Sequence, residues 1–187
     1  MRVIAGTAKG RALVAPNGIK TRPTGDRMKE DLFNIIAPLI PGALFLDMYC
    51  GSGAIGIEAL SRKAKHASFV DSAKEAINAA TTNLQNTRLS DKAEVLHMDV
   101  WQAISKIKCR RFDIIFMDPP YNNSGIVEIL TQASQFLAEN GMLIVECSLD
   151  TEAEIPGLSI YRQKKYKQMQ FIFYTKDVAK DDSSISG

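Results

Sequence analysis

Apolar and polar positions along this chain keep two rhythms, and the change from one to the other marks out its elements. Residues 43–48, 67–70, 95–98, 112–117 and 142–147 are short apolar runs of the length expected of buried strands. Between them the period lengthens to that of a helix. Met28, Leu32, Phe33, Ile35 and Ile36 form one stripe, Ile57, Ala59 and Leu60 a second, and Ala76, Ile77, Ala80 and Leu84, within residues 73–86, a third. A short helix is predicted over residues 101–107 and a longer one over 126–137, where Ile126, Val127, Ile129, Leu130, Ala133 and Leu137 recur. Pro38 and Pro41-Gly42 stop the first helix, and Asn140-Gly141 is expected to cap the last. Residues 2–5 and 11–15 flank Gly6-Thr7-Ala8-Lys9-Gly10 as a candidate hairpin, which must lean on the main body or on a ligand to be stable. After a turn at Pro156-Gly157, residues 159–166 and 170–175 are close enough to pair antiparallel. Residues 178–187, with Asp181-Asp182-Ser183-Ser184, read as a frayed tail.

Five strands separated by helices, then a hairpin, predict an α/β fold: a doubly wound, mostly parallel seven-stranded sheet whose last strand is antiparallel. A small N-terminal β-hairpin precedes it. On this reading the chain divides into a basic extension over residues 1–20, a main domain over 21–177 and a flexible tail over 178–187. Ligands of such sheets bind beyond the carboxyl ends of the strands. Asp47, Asp71, Asp99 and Asp118 each close a strand, so one crevice is expected to receive all four.

The run Met117-Asp118-Pro119-Pro120-Tyr121 is hard to explain as packing. Proline fixes φ and donates no N–H, so the carbonyls around Asp118 and Pro119 are left facing outward as acceptors. The run suits a planar group bearing an amino substituent: its two hydrogens can go to the Asp118 carboxylate and the Pro119 carbonyl while the Tyr121 ring stacks on its face. The competing reading is a strand-end turn with a surface tyrosine.

Gly51-Ser52-Gly53-Ala54-Ile55-Gly56 is a G-x-G-x-x-G turn between a strand and a helix, which leaves backbone N–H groups free and brings Gly51, Ser52 and Gly53 close to a ligand. Asp71, about twenty residues on, can accept from both ribose hydroxyls of a nucleoside cofactor. Asp47 can hold an ammonium group, which together with the amine-reading run favours S-adenosylmethionine over a nicotinamide dinucleotide. A turn residue satisfying its own backbone is the alternative for Asp47. Asp99-Val100-Trp101-Gln102 is a capping box, so Asp99 is a helix cap, an adenine contact or both. Trp101 reads as helix packing rather than a base platform, and His66 and His97 as structural.

Composition changes this picture little: 45% hydrophobic and 24% charged residues are ordinary for a globular protein. The net charge of +2 conceals an uneven spread. Residues 1–30 hold seven Lys/Arg against two acids, and residues 158–176 hold five and no acid, leaving the middle acidic. That pattern fits a polyanion-binding enzyme with a cationic cofactor, and equally the solvated faces of a hairpin and a loop. Cys50, Cys109 and Cys147 lack metal spacing, so reduced thiols and no metal site are expected. With no signal-peptide pattern and no apolar run near the ~18 residues of a membrane span, a cytoplasmic protein is expected.

These residues resemble the bacterial ribosomal RNA small-subunit methyltransferase D family over nearly the whole chain. The segment Arg22-Pro23-Thr24-Gly25-Asp26-Arg27-Met28-Lys29-Glu30-Asp31-Leu32-Phe33-Asn34 resembles its N-terminal signature, residues 47–62 its glycine motif, and Asp118-Pro119-Pro120-Tyr121 the catalytic motif of amino-group methyltransferases. Two positions depart: Asp71 stands where Glu is usual, and Lys63 where Gly is common. The resemblance implies a Rossmann-like class I methyltransferase that uses S-adenosylmethionine to methylate the N2 amine of a guanine in 16S rRNA, within a small-subunit particle, and a monomer is favoured. It implies catalytic roles for Asp118, Pro119 and Tyr121. It also gives Arg22, Thr24 and Arg27 a place over the cofactor's methionine end or on RNA phosphate, while Thr24 or Asp26 as a helix N-cap is the plainer account. The rivals are an adenine-N6 methyltransferase, a nicotinamide-dependent oxidoreductase and a non-catalytic RNA-binding module.

Overall fold

The computed structural model describes residues 1–16, 25–107, 111–120, 125–151 and 154–177. Seven strands form one sheet in the order β3-β2-β1-β4-β5-β7-β6. They are β1 (Leu44–Met48), β2 (His66–Asp71), β3 (Ala93–His97), β4 (Phe112–Met117), β5 (Leu137–Cys147), β6 (Leu158–Lys165) and β7 (Gln170–Lys176). The first five run parallel, and β7 lies antiparallel between β5 and β6. Helices α1 (Asp26–Ile35), α2 (Ala54–Ser61), α3 (Lys74–Thr87), α4 (Val100–Lys106) and α5 (Ile126–Ser134) cover its faces. The arrangement is the doubly wound, Rossmann-like one that the sequence predicts.

The strands alternate their side chains between two cores. Phe45, Ile57, Phe69, Phe116, Phe171 and Phe173 fill one with α1 to α3, and Leu46, Met48, Ile115, Met117, Leu130 and Ile172 fill the other with α4 and α5. The N-terminal hairpin is reduced to the single antiparallel bridge Arg2↔Ala12. It leans on α2, as expected of so short a ladder: Val3, Ala8 and Leu13 enter the first core, and Ala8 N–H donates to Ser61 Oγ at 2.9 Å. Gly6 is at φ 82 and so close to the end of α2 that an added Cβ would lie 1.9 Å from the Ser61 carbonyl oxygen.

Four expectations need correction. The helix predicted over 126–137 stops at Ser134, and Leu137 already pairs with Phe112 at the start of β5. Leu137 fits either rhythm, and pairing with β4 decided between them. Asn140-Gly141 therefore lies in an irregular stretch of β5, before Met142 resumes the ladder opposite Ile114, and caps no helix. Trp101 is not packed but 43% exposed. At the start of α1 the N-cap position falls to Gly25 without a side-chain bond, while Asp26 sits inside the helix, 3.4 Å from Arg2 Nε. Thr24, Cys109 and the predicted tail over 178–187 lie outside the described residues.

Candidate active site

At the carboxyl ends of β1 and β4 the chain leaves the sheet in two turns that touch. Tyr49, Gly51 and Gly53 have φ of 62°, 54° and 74°, so three of the five residues after Met48 are left-handed. For the tyrosine this costs roughly 1–2 kcal/mol, a strain held by its neighbours. Cys50 N–H donates to Val70 O at 3.0 Å, which ties the exit of β1 to β2. The Asp118 N–H reaches Met48 O at 3.4 Å, which brings the loop after β4 against the end of β1.

The amides of the glycine turn are not free, contrary to expectation. Gly51 N–H donates to Asp71 Oδ2 at 2.9 Å, Gly53 N–H to Cys50 O at 2.7 Å, and Gly56 N–H to Asp47 Oδ2 at 2.8 Å. Asp71 Oδ1 also accepts from Ala73 N–H at 2.9 Å, so one carboxylate holds both the turn and the entry to α3. Gly56 allows α2 to approach β2: a Cβ there would lie 2.4 Å from the Phe69 ring. In a dinucleotide site these amides face a pyrophosphate. Here Asp71 takes that of Gly51, Asp47 that of Gly56 and the Cys50 carbonyl that of Gly53.

A cavity of about 340 Å³ opens between the two turns, lined by Asp47, Tyr49, Gly51, Ser52, Asp71 and Asp118, with Phe116 and Pro120 on the β4 side. That is within the usual range for small-molecule sites. Burial pushes the Asp47 carboxyl well above the usual carboxylate range, Gly56 N–H opposes the shift, and Asp118 and Asp71 add to it. Burial, then the nearby Glu146 of β5, pushes Asp118 up to about 7. Three converging carboxyl groups with so little internal compensation form a site for a cation and repel a pyrophosphate.

The remaining predicted residues are distributed as follows. Gly53 is buried beneath the turn and Pro119 beside the loop, and neither lines the cavity. Asp99 caps α4, accepting from Gln102 N–H at 2.9 Å, and does not line it either. Arg22, Thr24 and Tyr121 lie outside the described residues. Sequence reading missed a wall of the cavity, made by Ala15 and Pro16 of the hairpin and Lys29 of α1. A signal for Lys29 existed: it falls on the apolar stripe with Leu32, Phe33 and Ile36, where a lysine needs a buried partner. Asn83 of α3 was also missed. Fully buried, it donates at 2.9 Å to both Val14 O and Ser52 O and accepts from Val14 N–H at 2.8 Å, joining hairpin to glycine turn. Among the described residues no cluster of His, Cys, Asp or Glu is placed to hold a metal ion, and no helix is long and apolar enough to cross a membrane.

The family model described as Conserved hypothetical protein 95 matches residues 1–175. The chain is 41% identical over 184 residues to the "Putative rRNA methyltransferase YlbH" of Bacillus subtilis (strain 168), an alignment spanning 94% of this chain and 99% of that one. It is 32% identical over 185 residues to "Ribosomal RNA small subunit methyltransferase D" of Escherichia coli (strain K12), covering 95% and 90%. The solved structure of "Putative methyltransferase yhhF from Escherichia coli" superposes with a TM-score of 0.83 at 32% identity, covering 95% of this chain and 98% of that one. The solved structure of a hypothetical protein from Thermus thermophilus superposes with a TM-score of 0.80 at 27% identity over 95% and 99%. This chain belongs to the Conserved hypothetical protein 95 family, in which the ribosomal RNA small-subunit methyltransferases D stand.

Proposed function

We propose that this protein is an S-adenosylmethionine-dependent methyltransferase acting in the cytoplasm on the exocyclic N2 amine of a guanine in 16S rRNA, within a small-subunit particle. The observation that carries the reading is that Asp118, at the mouth of β4, and Asp47 and Asp71, at the mouths of β1 and β2, open on one cavity. The rRNA methyltransferase names of the relatives support the substrate class.

The residues fit the cofactor. S-adenosylmethionine, when bound, supplies an activated methyl group on a positively charged sulfur and adds an ammonium, positive charge to face Asp47, Asp71 and Asp118, since the Lys29 ammonium in the wall is already paired with Glu58. Asp47 keeps one oxygen on Gly56 N–H and turns the other to an ammonium; Asp71 accepts from ribose hydroxyls. Binding at Asp71 competes with or shares its bonds to Gly51 and Ala73, so the glycine turn adjusts with occupancy.

On the substrate side, Asp118 and the Pro119 carbonyl accept from the base amine. They orient its lone pair and stabilise the positive charge that develops on the nitrogen. Proton loss can follow transfer, so no separate strong base is required. A paired guanine has to leave its stack to reach the loop.

The test is methyl transfer from labelled cofactor into transcribed 16S rRNA and into small-subunit particles, with digestion to nucleosides. N2-methylguanosine is expected; N6-methyladenosine would move the target to adenine, and binding without transfer would leave an RNA-binding module. Asp118→Ala should lower kcat at least ~100-fold while cofactor Kd changes little. Undiminished turnover in that variant would remove the loop from the chemistry.

A further inference from the structure

The two basic stretches are separated by more than a hundred residues, and the fold brings part of each to one place. Asp31 of α1 accepts from the Tyr166 hydroxyl at 3.0 Å and pairs with Lys164 Nζ at 3.6 Å. Arg27, exposed one turn earlier on α1, is close enough for its charge to be felt at that hydroxyl. Arg162, Lys165 and Lys167 are exposed alongside, as is Tyr161, at 62%, where the register of β6 slips between Ile160 and Arg162.

Register fixes where this cluster stands relative to the cavity. Met117 of β4 is level with Val145, Ile172 and Gln163 across the sheet, so Lys164 and Lys165 stand just past that level, at the same edge as Asp118. Three strand spacings separate them, about 14 Å. Phe116, in the cavity wall, meets Phe171 edge-on at 6.2 Å, and Phe171 meets Tyr166 at 5.8 Å, so three rings brace the rim against the cavity. Charge on an edge strand also prevents edge-to-edge pairing, but that needs no single sign. The other edge, at β3, is flanked by Asp91, Lys92 and Glu94 in mixed sign, whereas residues 158–176 hold no acid.

We propose that this rim, running from Arg27 past Lys164 and Lys165 to Lys167 with Arg162 and Tyr161 along β6, is the track that holds the phosphate backbone of the substrate RNA beside the cavity. The inference rests on the RNA methyltransferase reading above. The excess of basic side chains over the one acid among them, Asp31, supplies affinity, and the exposed tyrosine offers a stacking face.

The test is a triple variant, Arg162→Gln, Lys165→Gln and Lys167→Gln, all at exposed positions. Binding to transcribed 16S rRNA and to small-subunit particles is measured over a range of salt, with cofactor Kd and melting temperature alongside. The expected result is RNA Kd raised about tenfold or more and a salt slope lower by about 2, at ~0.7 per lost contact, with cofactor affinity and melting unchanged. Lys65→Gln with Lys92→Gln, exposed at the amino ends of β2 and β3, should leave RNA binding unchanged. A triple variant with unaltered RNA affinity and slope, or a control pair that loses as much, overturns the track. Methylation by the unmodified protein is scored separately. If it forms N2-methylguanosine while the triple variant binds as before, the track alone is wrong. If RNA binds through the rim and no such nucleoside forms, the reaction is misassigned and the track stands.

Discussion

Replacing Glu58 with glutamine removes one charge from a site that the hairpin, α1 and α2 share. The carboxylate is fully buried; Oε2 accepts Ile4 N–H at 2.7 Å and faces Lys29 Nζ at 3.5 Å, while Oε1 accepts Ala5 N–H at 2.9 Å and Arg62 Nε at 2.8 Å. Lys29 is only 2% exposed and donates at 2.6 Å to Arg2 O. Burial pulls its ammonium pKa down, and the charge of Glu58 is the main opposing influence. Glutamine keeps the shape but has one acceptor oxygen in place of two, so at least one hairpin amide meets an NH₂ group. Breaking one side of a buried pair costs ~3–5 kcal/mol, and an orphaned amide ~1–3 kcal/mol. The two penalties overlap, so a loss of about 4 kcal/mol is expected, a large part of a typical ~5–15 kcal/mol. For a chain of this size that lowers Tm by roughly 8–16 °C. Adding Lys29→Met removes the stranded ammonium and should restore at least ~2 kcal/mol. Urea unfolding gives both values, and hydrogen exchange at Ile4 and Ala5 should quicken in the single variant. A loss under about 1 kcal/mol, or a double variant weaker than the single, would refute the view that charge pairing holds the hairpin down.

The Asp118 carboxyl in the cofactor-free protein should titrate near its value of about 7 by carbon-13 NMR, and methyl transfer should rise with pH through its ionisation. Glu146→Gln removes the second cause of the shift and should move both acidward. Because the folded value lies above the usual 3.8, this carboxyl detracts from stability increasingly as pH climbs from about 4 to about 7, so Asp118→Asn should raise Tm at pH 8 and not at pH 4. An unchanged Tm at pH 8 would show that burial does not strain the acid. Lys63 ends α2 at φ 79, with Lys63 N–H on Leu60 O and Ala64 N–H on Ala59 O, the place where glycine usually sits. Lys63→Gly should stabilise the protein by ~0.5–1 kcal/mol in urea unfolding, and a loss would mean that the lysine's own contacts outweigh the backbone strain.

Much of the fold was legible because its signals were local. β4 runs over the predicted residues 112–117, and the glycine turn lies between β1 and α2 as its spacing demanded. What stayed hidden depended on distant partners. Leu137 became strand because Phe112 pairs with it, and Glu58, on a helix that is buried all round, gave no hint that backbone amides of residues 4 and 5 would reach it. The acids at strand ends were readable as a group, yet the capture of the glycine amides by Asp47 and Asp71 was not, since it depends on how tightly α2 and α3 dock. The meeting of the two basic stretches needed Asp31, which alone looked like an ordinary surface acid of α1.

β7 comes later in the chain than any other strand and yet takes an interior place, between β5 and β6. Synthesis from the N-terminus therefore delivers β6 before the neighbour through which it joins the sheet. Until β7 slots in, β5 keeps an open edge, Phe116 lacks its partner ring at Phe171, and Lys164 and Tyr166 have no platform. A nascent chain can close β1 to β4 early and still lack the strands on which the two basic stretches meet.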